Sequence, residues 1–98
     1  MIFNYKNIQK NNATYIIAEI GVNHECSIKA AKKLILLAKK GGADAAKFQT
    51  YKAEKIVKKN SKAYWDLKKE KTQSQFELFS KLDKFQPKDY KNLALYCK

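Results

Sequence analysis

Arginine is absent from this 98-residue chain, and histidine, tryptophan, methionine and proline occur once each. All 21 basic residues are lysines, and with 9 acidic residues they give a net charge of +12. Specific recognition of bases and phosphates favours the forked guanidinium group of arginine, and the lysines are scattered without an aromatic stacking motif. We therefore expect no nucleic-acid partner and interpret the lysines as a solvated surface that can attract anionic small molecules.

Cysteine and long apolar runs are also scarce. The only two cysteines, Cys26 and Cys97, are too few for a disulfide framework. No apolar run approaches the roughly 18 residues of a membrane span, and the first residues lack the apolar core of a signal peptide. We expect a cytoplasmic protein with free thiols and no membrane partner. The hydrophobic fraction of 45% is enough for a folded core.

Two short apolar runs carry polar groups inside them or at their exits. The runs are 16–24 and 45–50, and a stretch rich in Ala, Leu and Lys at helical spacing joins them. Ser27 is placed to cap that helix, and Gly41 and Gly42 are placed to end it. The order of strand, helix and strand predicts a βαβ unit with parallel strands. In such units, ligands bind beyond the carboxyl ends of the strands.

Five polar side chains would meet at that edge: an acid, an imidazole, an ammonium group and two amides. They are Glu19, His24, Lys47, Asn23 and Gln49. Glu19 and Lys47 lie inside apolar strands, where a charged group needs a partner or a shifted pKa. Each is therefore either a functional group, for proton transfer or anion binding, or half of an internal salt bridge.

The amide, hydroxyl and imidazole groups have alternatives too. Gln49 and Thr50 either bind a ligand or cap the end of the strand. A lone histidine such as His24 is more often a hydrogen-bonded rim residue than a metal ligand, because a catalytic metal usually takes about three protein ligands.

Three segments resemble, in order and spacing, the N-terminal part of the sialic acid synthase family, which includes N-acetylneuraminate synthase and legionaminic acid synthases. They are 18–24, 42–50 and 74–78, and the resemblance extends from Tyr15 to Lys98. It implies an α/β fold, the first β/α units of a TIM-type (β/α)8 barrel. That barrel is incomplete in this chain, because a complete one takes about 250 residues.

The resemblance also implies an activity for the full-length protein: condensation of phosphoenolpyruvate with an N-acetylmannosamine-type sugar and release of phosphate. By resemblance, Glu19 and Lys47 are the catalytic residues, with Glu19 near the carbons that join and Lys47 binding phosphoenolpyruvate. Gln49 contacts the amino sugar, and the further candidate substrate-binding residues are Asn23, His24, Thr50 and Ser74. A divalent metal, Mn²⁺ or Mg²⁺, is expected with ligands outside this chain, and a homodimer is the expected assembly.

One position departs from the family pattern. Cys26 stands where the family usually has glycine, and a residue with a Cβ disfavours positive φ. Either the loop after the first strand has a different turn, or the edge of the site differs in this branch of the family. The identity of the sugar is therefore left open.

The whole chain, 1–98, is interpreted as one fragment of the barrel domain. It is divided into a leading segment with a strand or hairpin at 1–13, a strand, helix and strand at 14–50, a long loop at 51–71 and helices at 72–98. Thr72 and Gln75 have the spacing of a capping box, and Pro87 is placed to open the last helix. We expect these 98 residues alone to be inactive. The alternative is a non-catalytic small α/β module that binds or self-assembles, in which the Glu19–Lys47 pair is structural.

Overall fold

The computed structural model describes residues 14–98, so the leading segment 1–13 and its predicted strand or hairpin lie outside the described residues. The elements are β1 (Ile17–Gly21), α1 (Ile28–Lys40), β2 (Ala45–Phe48), α2 (Ala53–Ile56), α3 (Gln75–Leu82) and α4 (Pro87–Tyr96). β1 and β2 pair in parallel, so the predicted βαβ unit and the α/β class are confirmed. Within residues 14–98, no helix has both the length and the apolar character needed to cross a bilayer.

Asp44 fixes the register of the two strands. Its carboxylate Oδ2 accepts a hydrogen bond from the Ile16 amide at 2.8 Å, and its own amide donates to the Ile16 carbonyl at 2.8 Å. The pairing that follows places Glu19 directly beside Lys47. Because side chains alternate between the two faces of a sheet, a slip by one residue would move the side chains of one strand to the opposite face.

Helix α1 begins and ends as the sequence predicts. The Ser27 hydroxyl caps it by accepting a hydrogen bond from the Ala30 amide at 3.2 Å. The chain leaves the helix through Gly42, whose φ is +88°, a left-handed conformation that glycine adopts without steric cost. Lys39 and Lys40 lie in the last turn, where their charges favour the negative end of the helix dipole.

A small core packs α1 and α4 against one face of the sheet. Its buried side chains are Ile20, Ala31, Ile35, Phe85 and Leu93. The other face carries the alternate residues of the two strands, among them Ile17, Glu19 and Lys47, and these side chains are exposed. The helices therefore cover one face of the sheet, and the charged pair lies on the other.

The predicted capping box at the start of α3 is wrong. Ser74 caps this helix, and its hydroxyl accepts a hydrogen bond from the Glu77 amide at 3.2 Å. Thr72 instead accepts a hydrogen bond from Lys81 Nζ at 2.8 Å, and the Gln75 side chain donates to the Lys62 carbonyl. Ser74 and Glu77 have the same three-residue spacing as Thr72 and Gln75, so the sequence offers two overlapping caps and the helix uses the second.

Helix α4 allows a matched test of this core. Leu93 is 2% exposed and Leu95, two residues later, is 59% exposed. We expect Leu93→Ala to lower the free energy of unfolding by about 2–5 kcal/mol, because it removes buried methyl groups and leaves a cavity. Leu95→Ala should change it by less than about 0.5 kcal/mol. Urea denaturation of both variants measures the difference, and equal losses would show that α4 does not pack as described.

Candidate functional site

Glu19, Lys47 and Gln49, here called the rim cluster, lie at the carboxyl ends of the two parallel strands. Lys47 Nζ is 2.8 Å from Glu19 Oε2. A Cβ placed on Gly21 would lie 3.5 Å from Glu19 Oε1 and 3.8 Å from Gln49 Oε1, so the carboxylate and the amide both border Gly21. The structure thus brings the acid of the first apolar run together with the ammonium group and the amide of the second.

The ion pair of the rim cluster is half exposed. The side chains of Glu19 and Lys47 are 49% and 46% accessible to solvent. An ion pair this exposed contributes about 0–1 kcal/mol to stability. An incoming anion can therefore replace Glu19 as the partner of Lys47 at little energetic cost, and both groups are accessible to a ligand.

The backbone of Gln49 is held on both sides. Its amide donates to the Gly21 carbonyl at 3.3 Å, and its carbonyl accepts a hydrogen bond from the Tyr90 hydroxyl at 3.1 Å. Within residues 14–98, the Gln49 side chain makes no hydrogen bond. The exit of β2 is thus anchored, while the side-chain amide is available to a ligand.

The loop that leaves β1 folds through three left-handed residues. Gly21, Glu25 and Cys26 have φ values of +59°, +48° and +60°. For a residue other than glycine this conformation costs roughly 1–2 kcal/mol. Cys26 therefore keeps a turn suited to glycine in spite of its Cβ. Its amide donates to His24 Nδ1 at 3.0 Å, which offsets part of the strain.

His24 is buried beneath the rim, whereas the sequence favours a hydrogen-bonded residue at the rim. Its side chain is 1% exposed, and its ring stacks on Phe85 with centroids 4.3 Å apart and planes 2° apart. Because Nδ1 accepts the Cys26 amide, the neutral ring carries its proton on Nε2. That Nε2 has no hydrogen-bond partner in the described part of the chain. The ring supports the loop, and its contact with a substrate stays a prediction.

The remaining candidate binding residues are more widely spread. Asn23 and Thr50 are exposed beside the exits of β1 and β2. Ser74 lies at the start of α3, where its hydroxyl serves as the helix cap. Among residues 14–98, no hydrogen bond of Ser74 reaches the rim cluster. The ligand contacts of these three residues stay predictions.

The described residues do not fit a divalent metal site. Between residues 14 and 98 there is no group of three or more His, Cys, Asp or Glu side chains placed to share a metal ion. The one imidazole has its Nδ1 engaged by the Cys26 amide and its ring stacked on Phe85.

The chain is similar to known enzymes. A model described as the NeuB family matches residues 34–98. The chain belongs to the NeuB family. The N,N'-diacetyllegionaminic acid synthase of Campylobacter jejuni is 42% identical over 87 residues, which cover 87% of this chain and 26% of the relative. A protein of the same name from Legionella pneumophila is 56% identical over 45 residues, 46% of this chain and 13% of the relative.

A mammalian relative extends the comparison. The human N-acetylneuraminate-9-phosphate synthase is 53% identical over 49 residues, 50% of this chain and 13% of the relative. The chain thus spans about a quarter or less of the length of these relatives. No solved structure matches it. The resemblance to sialic acid synthases is confirmed at the level of the family.

Sequence reasoning missed the aromatic support behind the site of this NeuB family chain. Phe85 lies in the connection between α3 and α4, within the stretch 72–98 where the sequence predicts helices, and it contacts both His24 and Tyr90. Nothing in the pattern around Tyr90 indicates a partner at the exit of a strand. The one usable signal is the placement of two aromatic residues on either side of Pro87, where the helix begins.

Burial of His24 predicts a pH-dependent stability. Desolvation lowers the pKa of His24 below its ordinary value of 6.5, because burial disfavours the imidazolium form. In the unfolded chain the ordinary value applies, so the unfolded state binds more protons as the pH falls through 6.5. The stabilisation is complete above that pH and is lost as the pH falls toward the lower pKa of the folded state.

We expect the urea midpoint to be lower at about pH 5.5 than at about pH 7.5. His24 is the only histidine of the chain, so a non-titrating replacement is a clean control. His24→Asn keeps a side-chain acceptor for the Cys26 amide and should show a smaller change between the two pH values. The same change in both proteins would mean that His24 does not cause it.

Proposed function

We propose that this chain forms the first β/α units of a (β/α)8 barrel in a nonulosonic acid synthase. Membership of the NeuB family and a polar cluster at the carboxyl ends of parallel strands both support the proposal, because such barrels carry their active sites at that end. In a closed barrel, the face that bears Glu19 and Lys47 becomes the interior. Ile17 lies on the same face and is 42% exposed, so it is an apolar side chain that further strands would bury.

The proposed reaction joins phosphoenolpyruvate to an N-acetylated mannosamine-type sugar. C3 of phosphoenolpyruvate attacks the aldehyde carbon of the sugar and forms the new carbon–carbon bond. Water then adds at C2, and the bond from C2 to the phosphate oxygen breaks, so that inorganic phosphate leaves. Relatives named as legionaminic acid and N-acetylneuraminate-9-phosphate synthases support this product class. The rim cluster carries the proposal, since it offers the groups that the substrates need.

Lys47 would bind phosphoenolpyruvate, and Glu19 would then change partner. The ammonium group of Lys47 can pair with either the phosphate or the carboxylate of phosphoenolpyruvate. Once that anion takes Lys47, the Glu19 carboxylate is free to accept a hydrogen bond from water or from a sugar hydroxyl. The exposure of the ion pair allows this exchange.

Gln49 would recognise the sugar. Its amide offers two donors and a carbonyl acceptor, which suit an acetamido group or a hydroxyl. It borders Gly21 on the same side as the Glu19 carboxylate, so one sugar could meet both residues. The proposal includes a homodimer and a divalent metal, with metal ligands in the full-length enzyme outside residues 14–98.

A non-catalytic module is the second candidate, because the Glu19–Lys47 contact of 2.8 Å is also what a structural ion pair requires. The exposure of both side chains argues against it. A pair kept for stability alone contributes about 0–1 kcal/mol in such a position, whereas a ligand site needs charges that a substrate can reach.

Charge removal in the rim cluster tests the proposed synthase. In the full-length enzyme, we expect Lys47→Ala to raise the KM for phosphoenolpyruvate by about 10- to 100-fold, since a charge-assisted contact is lost. Glu19→Gln should lower kcat by about 100-fold or more. The melting temperature of each variant, measured beside the kinetics, separates a lost substrate contact from a loss of fold. Lys33→Ala, an exposed lysine on α1, is the control. An unchanged KM for phosphoenolpyruvate in Lys47→Ala, or an unchanged kcat in Glu19→Gln, contradicts the assignment.

The 98 residues alone should release no phosphate. The rim cluster comes from two strands and from Gln49, which follows β2, and the described residues supply no metal site. The measurement is a phosphate assay of the isolated chain with phosphoenolpyruvate, N-acetylmannosamine and Mn²⁺, run beside the full-length protein. Turnover by the isolated chain would mean that its own residues complete the site.

A further inference from the structure

A tyrosine on α4 contacts the segment that carries the candidate sugar-binding amide. The Tyr90 hydroxyl donates to the Gln49 carbonyl at 3.1 Å, across a separation of 41 residues in the chain. We propose that Tyr90 is a positioning residue, which holds the exit of β2 so that the Gln49 side chain meets the amino sugar. This inference rests on the proposed function, because it is that function which gives Gln49 the sugar.

The ring of Tyr90 is held by the aromatic core. It packs edge-on against Phe85, with centroids 5.6 Å apart and planes at 81°, and Phe85 in turn stacks on the buried ring of His24. Tyr90 is half-buried and packs against the hydrophobic core. A ring enclosed in this way has few rotamers, so the direction of its hydroxyl is fixed by packing.

The backbone beneath Tyr90 is anchored as well. Pro87 opens α4, and a capping box joins Gln86 to Asp89, with the Gln86 amide donating to Asp89 Oδ2 at 2.8 Å. The Tyr90 amide donates to the Gln86 carbonyl at 3.4 Å. Tyr90 therefore extends from a helix start whose φ and ψ angles are restricted by the proline ring and by the cap.

The Tyr90 contact matters because it lies beyond the last residue of β2. Lys47 lies within β2 and pairs with β1, whereas Gln49 follows the last strand residue, Phe48. The Gln49 amide is held by the Gly21 carbonyl, and its carbonyl is held by Tyr90. Without the tyrosine hydroxyl, only the Gly21 carbonyl holds the backbone of Gln49, so its Cα and the attached side chain can shift away from Glu19. The position of Lys47 would not change.

The loss of the hydroxyl should therefore affect the two substrates differently. In the full-length enzyme, we expect Tyr90→Phe to raise the KM for the amino sugar by about three- to tenfold, the effect of one hydrogen bond. The KM for phosphoenolpyruvate should stay within about twofold, because the Lys47 contact remains. Tyr96→Phe, on the same helix with its ring beside Lys32, is the control and should change neither. Equal changes in both KM values, or none, would overturn the proposal.

A second measurement separates this inference from the proposed function. Amide hydrogen exchange at residues 49–51 should be faster in Tyr90→Phe than in Tyr96→Phe, whether or not the protein condenses these substrates. If the wild-type protein does not condense these substrates but amide exchange at 49–51 is faster in Tyr90→Phe, the proposed function is contradicted. The positioning of this segment by Tyr90 is then still supported. Unchanged exchange in Tyr90→Phe overturns the positioning role even in an active enzyme.

Discussion

The register of one pair of parallel strands determines which side chains are neighbours in the candidate functional site. Two hydrogen bonds between Asp44 and Ile16 set where β1 and β2 begin to pair, and each contributes on the order of 1 kcal/mol. Because side chains alternate between the two faces of the sheet, this register places Ile20 in the core and places Glu19 beside Lys47 on the other face. A small local interaction at one end of the strands thus decides which charges are neighbours at the other end.

The rim cluster makes a small contribution to stability, which suits a ligand site. A buried ion pair would resist exchange of partners, because removing one charge would leave the other unpaired in a medium of low polarity. Glu19 and Lys47 are half exposed, so an anion can take the place of the carboxylate beside the ammonium group. Stability comes instead from the other face of the sheet, where Ile20 and Leu93 are buried.

The parts of this structure that follow from sequence are those determined by local spacing. The cap at Ser27 and the left-handed Gly42 depend on residues within one helical turn. Period-two alternation places Glu19 and Lys47 at the same edge of the sheet. The register that makes them direct neighbours depends instead on the contact of Asp44 with Ile16. The burial of His24 could not be predicted, because it depends on Phe85, some sixty positions away in the chain. The capping box predicted at Thr72 and Gln75 is wrong because Ser74, which has the same three-residue spacing to the acidic Glu77, caps α3.

One aromatic cluster supports the exits of both strands, so the two are not independent. His24 is part of the β1 exit loop, and its Nδ1 helps hold Cys26 in a left-handed conformation. Its ring stacks on Phe85, which contacts Tyr90, and Tyr90 holds the carbonyl of Gln49 at the exit of β2. Nε2 of His24 has no hydrogen-bond partner among residues 14–98, and a buried donor left unpaired costs about 1–3 kcal/mol in desolvation. That cost is a consequence of placing an imidazole where it can accept a loop amide and stack on Phe85 at the same time, so loop geometry and site geometry depend on the same buried ring.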